Sequence, residues 1–443
     1  MKKPRAADHA AHRPTPVTVT ALSHDGRGIA RLSGKTVFIE DALPGEEVTF
    51  RLRRRHKDYD EARIETLLRP APERVAPRCT HFGVCGGCSL QHLDPPAQIA
   101  AKQQTLLDNL RRIGGLEPSE IMPPLTGPAW GYRRRARLSA HKNGERVFVG
   151  FKERHRPLVA DIRHCDVLDP KVGGMIAAIS ELLSSLSIAD RVPQLEVAVG
   201  DEATVMSIRV LSPPNDEDRV KLAAFEDQHS VRIYLQPERA DSVVPLRGGG
   251  ADLYYRLPES DVAIHFQPAD FTQVNGEINR RLVELTLKEL AVEPGDHVLD
   301  LFCGLGNFTL PLARGAGRVT GVEGELELVR RARKNAERNR LDNVDFHQAD
   351  LFAEDIDGTW AKQRYQRILL DPPRAGAKEI IAHFPRFGAK KIVYVSCHPA
   401  TLARDAKILV AEQGWTLMRA GVLDMFPHTS HVESIAVFER SKP

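Results

Sequence analysis

His297-Val298-Leu299-Asp300-Leu301-Phe302-Cys303-Gly304-Leu305-Gly306-Asn307-Phe308 decides how the second half of this chain is read. An apolar strand runs into a tight turn with glycines at 304 and 306, and a helix start follows. The next strand-like run, Val319-Thr320-Gly321-Val322-Glu323, ends in an acid about twenty residues on. From about residue 266, helix and strand patterns alternate, which predicts a doubly wound α/β, Rossmann-like domain over 266–443. In such a fold a glycine turn admits a nucleotide-like ligand, and the acid of the next strand bonds ribose hydroxyls.

A bare G-x-G is a weak signal. Here the turn begins with Asp300 and lacks the third glycine of a dinucleotide site. D-x-F-x-G-x-G with a downstream acid points instead to an S-adenosylmethionine pocket; an unrelated βαβ turn is the alternative. Asp350 follows the strand-like Val344-Asp345-Phe346, where an acid could meet adenine. Ile368-Leu369-Leu370 is a buried strand that ends in Asp371-Pro372-Pro373-Arg374. Amino-methyltransferases carry an aromatic residue where Arg374 stands, which argues against adenine N6 chemistry. Ile392–Pro399 delivers Cys397 to the carboxyl edge of the sheet, where ligands bind. His431–Val437 places Glu433 just before another strand.

A thiol and a carboxylate beside a methyl donor suggest one reaction. Carbon 5 of uracil is a poor nucleophile until a thiolate adds at carbon 6. Cys397 would be that nucleophile, and Glu433 the base that removes the carbon 5 proton. Taken singly, each residue has a plainer reading: a packed thiol and a solvated carboxylate.

Further toward the N-terminus lies CTHFGVCGGC, which holds Cys79, Cys85 and Cys88 in C-x5-C-x2-C spacing. Cys165 follows far downstream. Four thiolates can hold an iron–sulfur cluster or zinc, and unliganded core thiols remain open. Residues 97–113 have helical periodicity, closed by Gly114-Gly115. Residues 71–265 are expected to form an α+β central domain. Residues 17–70 carry short β-rich runs with Gly/Pro turns and the basic stretch Arg51-Leu52-Arg53-Arg54-Arg55-His56-Lys57. This reads as a small β-barrel with a phosphate-binding hairpin. The pattern around Gly26, Gly28, Pro44 and Gly45 resembles a TRAM domain, an OB-like RNA-binding module. Residues 1–16 read as a disordered tail.

Composition agrees with a multidomain globular chain. Its 443 residues suggest two to four domains at roughly 100–200 residues each. Six cysteines are too few for a disulfide scaffold, and neither a secretory signal nor an apolar run of spanning length is present. A cytoplasmic protein is expected, without membrane contact. Net charge is +3, yet residues 1–140 hold 23 Lys+Arg against 15 Asp+Glu, a net of +8. The remainder holds 39 against 44, a net of −5. Positive charge toward the N-terminus suits a nucleic-acid partner. Arg133-Arg134-Arg135-Ala136-Arg137 could add phosphate contacts, or be one face of a strand.

Together the Phe271-Thr272-Gln273-Val274-Asn275 entry, DLFCGLGNF, DPPR, SCHP and the HVES ending resemble the RNA 5-methyluridine methyltransferase family over nearly the whole chain. The resemblance implies that Gln273, Phe302, Asn307, Glu323, Asp350 and Asp371 line the donor site, with Cys397 as nucleophile and Glu433 as base. It also implies a [4Fe–4S] cluster on Cys79, Cys85, Cys88 and Cys165. One departure is His398, where the family's usual Ser-Cys-Asn-Pro has Asn. A TRAM module together with the cysteine cluster implies the branch that methylates 23S ribosomal RNA, acting as a monomer. Alternatives are the same chemistry on tRNA or on several ribosomal uridines, and an RNA-binding protein without catalysis.

Overall fold

The computed structural model describes residues 15–237 and 242–440. Residues 1–14, most of the expected tail, lie outside the described residues.

The N-terminal strands form a six-stranded sheet. Val17–Thr18 pairs with Glu47–Arg55, and Ala21–Leu22 pairs with Gly28–Leu32 at the far edge. One short stretch thus lies on both edges and closes the sheet into a barrel, filled by Val19, Ala30, Val37, Ile39, Val48 and Ala62. Alternation of buried and open positions breaks at Arg51–Arg55, where all five residues are exposed. The hairpin therefore projects past the barrel core with basic side chains on both faces. Some are held by acids, such as Arg53 on Glu40 at 2.9 Å and Arg51 on Glu65 at 3.0 Å.

The central sheet also has six strands, from Val244–Pro245 at one edge to Arg146–Gly150 at the other. Only Thr204–Arg209 and Arg232–Gln236 pair in parallel. Helices Ile176–Ser185 and Asp216–His229 contribute Ile179, Leu183, Leu222 and Phe225 to its core, giving an α+β layer pair.

The third sheet has eight strands. Val344–Gln348, Arg318–Glu323, His297–Leu301, Arg367–Leu370 and Lys391–Ser396 are parallel, and Glu433–Arg440 and Trp415–Leu423 follow antiparallel. Strand order runs outward in both directions from His297–Leu301, so the switch point of the fold lies beside that strand. Its central strands are mainly apolar, as strands buried on both faces tend to be, with Asp300 and Thr320 as buried polar exceptions.

Two segments assigned by sequence to the central domain pack into this third unit. Helix Pro95–Asn109 starts on Asp94, whose side chain accepts from the Ala97 N–H at 2.8 Å. It widens into a π turn at Leu110–Gly114 and stops at Gly115, which has φ +67°. Its apolar stripe, Ile99, Leu106 and Leu110, enters the core with Leu402, Ala406 and Leu417. Glu120–Ile121 then adds an edge strand beside Trp415–Leu423. The periodicity of 97–113 marked a helix with one apolar face but carried no information on which sheet that face covers.

Among the described residues no helix is long and apolar enough to cross a membrane.

Candidate active site

The chain leaves strand His297–Leu301 through an unusual turn. Phe302, Gly304 and Gly306 all have positive φ, at +65°, +54° and +91°. For Phe302, which has a Cβ, that backbone costs about 1–2 kcal/mol, the kind of strain found at ligand sites. The Gly304 N–H donates to a Glu323 carboxylate oxygen at 3.1 Å, and the Glu325 N–H to the other at 3.0 Å. Glu323 thereby fixes the turn against the end of its own strand. Gly321 cannot be larger: a Cβ there would meet Phe346 at 2.8 Å and the Cys303 sulfur at 3.0 Å. Cys303 is thus a packed thiol, buried in the apolar core and pushed well above its ordinary pKa by that burial.

Asp300 is fully buried, with one oxygen accepting from the Thr309 hydroxyl at 2.5 Å and the other unpartnered. Burial pushes its carboxyl up to about 7, and does the same to Asp371. Asn307 is clamped: its side-chain oxygen accepts from the Tyr255 hydroxyl and from the Asn279 amide, both at 2.9 Å, and it donates back to Asn279 at 3.0 Å.

Cys397 follows strand Lys391–Ser396 and precedes helix Pro399–Lys407. Ser396 pairs with Ser434 on the neighbouring antiparallel strand, so Cys397 and Glu433 sit one step past the last paired residues. Burial first, and then the Glu433 and Asp371 carboxylates, push the Cys397 thiol up to about 11. Glu433 is 4% exposed with one carboxyl oxygen unpartnered. Burial, then Asp371, raise it to about 8.

His398 caps the helix after Cys397, its Nδ1 accepting from the Thr401 N–H at 3.4 Å. Asn is a preferred capping residue, and the imidazole Nδ1 offers an acceptor at the same distance from Cβ. Burial lowers the His398 pKa, which favours the neutral ring that such an acceptor requires. Buried Asp405 ties this helix to the chain after Arg374, accepting from the Ala377 N–H at 2.7 Å and from the Tyr394 hydroxyl at 2.8 Å.

All these loops open into one cavity of about 620 Å³ at the switch point, within the roughly 300–1,000 Å³ usual for small-molecule sites. Gln273, Phe302, Asn307, Glu323, Asp350, Asp371, Cys397 and Glu433 all line it. So do Tyr255, Phe271, Phe426 and His431, which sequence reasoning did not assign to the site. Tyr255 comes from a two-stranded sheet, Tyr254–Leu257 with Val262–His265, and no spacing ties it to the glycine turn. Phe271 stood in the FTQVN run, and the structure leaves it 68% exposed at the cavity.

Cys79, Cys85, Cys88 and Cys165 face a second, smaller cavity of about 30 Å³, with Phe82, Phe151 and Ile162 in its wall. Burial pushes Cys85 up to about 11 and Cys88 up to about 12, and neighbouring thiols add to both. Among the described residues no group of three or more His, Cys, Asp or Glu side chains is arranged to hold a metal ion.

The arginine run divides. Arg134 is paired with Asp201 at 2.6 Å, and Arg135 donates to the Pro268 carbonyl at 3.0 Å. Arg137 remains 68% exposed while bonding Glu196 at 2.7 Å.

Residues 97–441 match the sequence profile of the tRNA (Uracil-5-)-methyltransferase family, and residues 15–64 match the TRAM domain. The chain belongs to the tRNA (uracil-5-)-methyltransferase family. Two relatives named 23S rRNA (uracil(1939)-C(5))-methyltransferase RlmD, from Methylococcus capsulatus and Alkalilimnicola ehrlichii, are each 51% identical to it. Each alignment covers 96% of this chain and 97% of the relative. The crystal structure of Pyrococcus abyssi tRNA (uracil-54, C5)-methyltransferase with S-adenosyl-L-homocysteine is similar over 96% of this chain and 99% of that one. Its TM-score is 0.75 at 26% identity. Within this methyltransferase family, then, overall domain organisation alone does not separate a ribosomal from a transfer RNA enzyme.

Proposed function

We propose that this protein methylates carbon 5 of a uridine in 23S ribosomal RNA, with S-adenosylmethionine as donor. One observation carries the reading: the donor-type glycine turn, Cys397 and Glu433 open into a single cavity. The choice of RNA rests on the relatives, since the 23S enzymes are 51% identical and the tRNA enzyme 26%.

In this reading Gln273, Phe302, Asn307, Glu323, Asp350 and Asp371 hold the donor, which supplies an electrophilic methyl group. Cys397 adds through sulfur to uracil carbon 6, and carbon 5 gains nucleophilic character. Carbon 5 takes the methyl, and S-adenosylhomocysteine leaves. Glu433 removes the carbon 5 proton, the carbon 5–carbon 6 double bond re-forms, and the thiolate is expelled. The target base must leave its stack to reach Cys397. The exposed arginines of the barrel hairpin suit the flanking phosphates. An enzyme of this kind would work in the cytoplasm, where the RNA is.

Cys79, Cys85, Cys88 and Cys165 would hold a [4Fe–4S] cluster, which supplies a cationic centre that keeps thiolates charged. One feature favours it over packed thiols: all four face one cavity, although they come from two segments far apart in the chain.

Mapping 5-methyluridine in 23S and transfer RNA from a deletion strain tests the substrate. Loss at a 23S uridine is expected; loss in tRNA alone would reassign it.

A pH dependence follows for donor binding. Burial lets Asp371, which lines the cavity, hold a proton up to about pH 7. A cationic sulfonium favours its ionised form, so binding releases a proton. Donor affinity should therefore rise by roughly tenfold between pH 6 and 8. Calorimetry in buffers of different ionisation enthalpy reads both quantities, and a flat profile would place the carboxylate away from the sulfonium.

A further inference from the structure

The loop between strands Trp415–Leu423 and Glu433–Arg440 carries Phe426 and His431 into the cavity and ends on Glu433. Its internal bonds are few: the Thr429 N–H and hydroxyl donate to the Phe426 carbonyl, and the His431 N–H to the Thr429 hydroxyl. His428 has φ +65°, a backbone that persists only where surrounding contacts over-determine it. Besides Lys102, which holds Asp424 and the Phe426 carbonyl, contacts come from the chain around the four thiols. The Ser89 and Leu90 N–H groups, directly after Cys88, both donate to the His428 carbonyl at 2.9 Å. The Ser430 N–H donates to the Ser89 hydroxyl at 3.0 Å.

Gln98 spans both segments with one buried amide. Its oxygen accepts from the His428 N–H at 2.8 Å. Its nitrogen donates to the Leu90 carbonyl at 3.0 Å and the Leu93 carbonyl at 2.7 Å. It is 1% exposed, so an unmade bond could not be replaced by bulk water. The Cys165 side reaches the same loop. Gly131 and Arg133 donate backbone bonds to Asp166 and Val167, and the Tyr132 hydroxyl between them donates to the Pro427 carbonyl at 3.0 Å. Both halves of the thiol site therefore grip one loop.

We propose that Gln98 and Ser89 are positioning residues that couple the four-thiol site to the loop carrying Phe426, His431 and Glu433, so that an occupied thiol site orders the wall facing the substrate. The part concerning occupancy rests on the cluster reading above; the coupling itself rests on the hydrogen bonds.

Full-length wild type, Gln98→Met, Ser89→Ala and Ser89→Thr would be purified anaerobically, assayed for iron, and divided into untreated and chelator-treated halves. Hydrogen exchange of the 424–432 amides is then followed by mass spectrometry. In iron-loaded protein Gln98→Met should raise exchange there by roughly tenfold. Ser89→Ala should raise it less, and Ser89→Thr, which keeps the hydroxyl, should match wild type. Removing iron should raise wild-type exchange to the Gln98→Met level and add little in Gln98→Met, because coupled perturbations do not add. Wild-type exchange in Gln98→Met and Ser89→Ala, or an equal effect of chelation with and without Gln98, overturns the proposal. Iron-free wild type would refute the cluster reading instead; the coupling then stands or falls on the variants alone.

Discussion

Cys397→Ala is expected to lose methylation by about 10⁴-fold or more, and to form no covalent adduct with RNA containing 5-fluorouridine. Fluorine at carbon 5 cannot be removed as a proton, so the wild-type reaction halts at the adduct and reports the nucleophile directly. Two cysteines line the cavity, and they make opposite predictions. Cys303 is packed against Gly321 and is raised far above its ordinary pKa, so it offers no thiolate. Cys397 lies at the open end of a strand and is pushed up only to about 11. Cys303→Ala should therefore keep forming the adduct, at a cost in stability of about 1 kcal/mol for the small cavity left. The sign of the pH effect follows from the thiol. Its reactive form is the deprotonated one, so adduct formation should climb across pH 7–9 without a plateau. Adduct of equal yield in Cys397→Ala would end the assignment.

How much of this was readable beforehand depended on whether the signal was local. The glycine turn was legible because strand, turn and downstream acid all lie within about thirty residues, and each has a backbone reason for its residue type. Cys397 and Glu433 were legible as candidates because each adjoins a buried strand. Their proximity was not, since it depends on Lys391–Ser396 and Glu433–Arg440 pairing antiparallel across an intervening strand and helix. Tyr255, Phe426 and Gln98 left no trace in spacing: each matters through a partner 52, 5 or 330 residues away, Asn307, His431 and His428 respectively. At 133–137 both open readings keep a residue: Arg134 pairs with Asp201 of a turn, and Arg137 on its strand bonds Glu196 yet stays 68% exposed. The span 71–265 shows a related limit. Periodicity gives a helix its apolar face but not its destination, and Pro95–Asn109 covers the third sheet. His398 is the opposite case, where an apparent departure from a motif still supplies a cap for the helix after Cys397.

Glu433→Gln should separate the two halves of the reaction. Gln keeps the size of the side chain and cannot accept the carbon 5 proton. Methyl transfer should proceed, and the methylated RNA should remain joined to Cys397, with turnover down about 10²–10⁴-fold. A denaturing gel of enzyme with ordinary uridine RNA and labelled donor would carry the signal: a near-stoichiometric burst of labelled, protein-bound RNA that decays slowly. The environment makes this substitution mild for folding. Glu433 is buried with one oxygen unpartnered, and burial raises its pKa to about 8, so a neutral amide suits the site while the ionised form of the wild-type side chain serves as base. Because the folded-state value lies above the ordinary 4.5, the wild-type side chain stabilises the fold at low pH, and that contribution is lost as pH rises through about 8. The amide of the substituted side chain does not titrate, so the variant's unfolding midpoint should fall less than the wild type's between pH 6 and 9. The two readouts discriminate. A glutamate needed only for packing would lower burst and turnover together, whereas a base lowers turnover and leaves the burst. Normal turnover in Glu433→Gln would mean that another group takes the proton, and His431, the titratable residue of the same loop that lines the cavity, would be tested next.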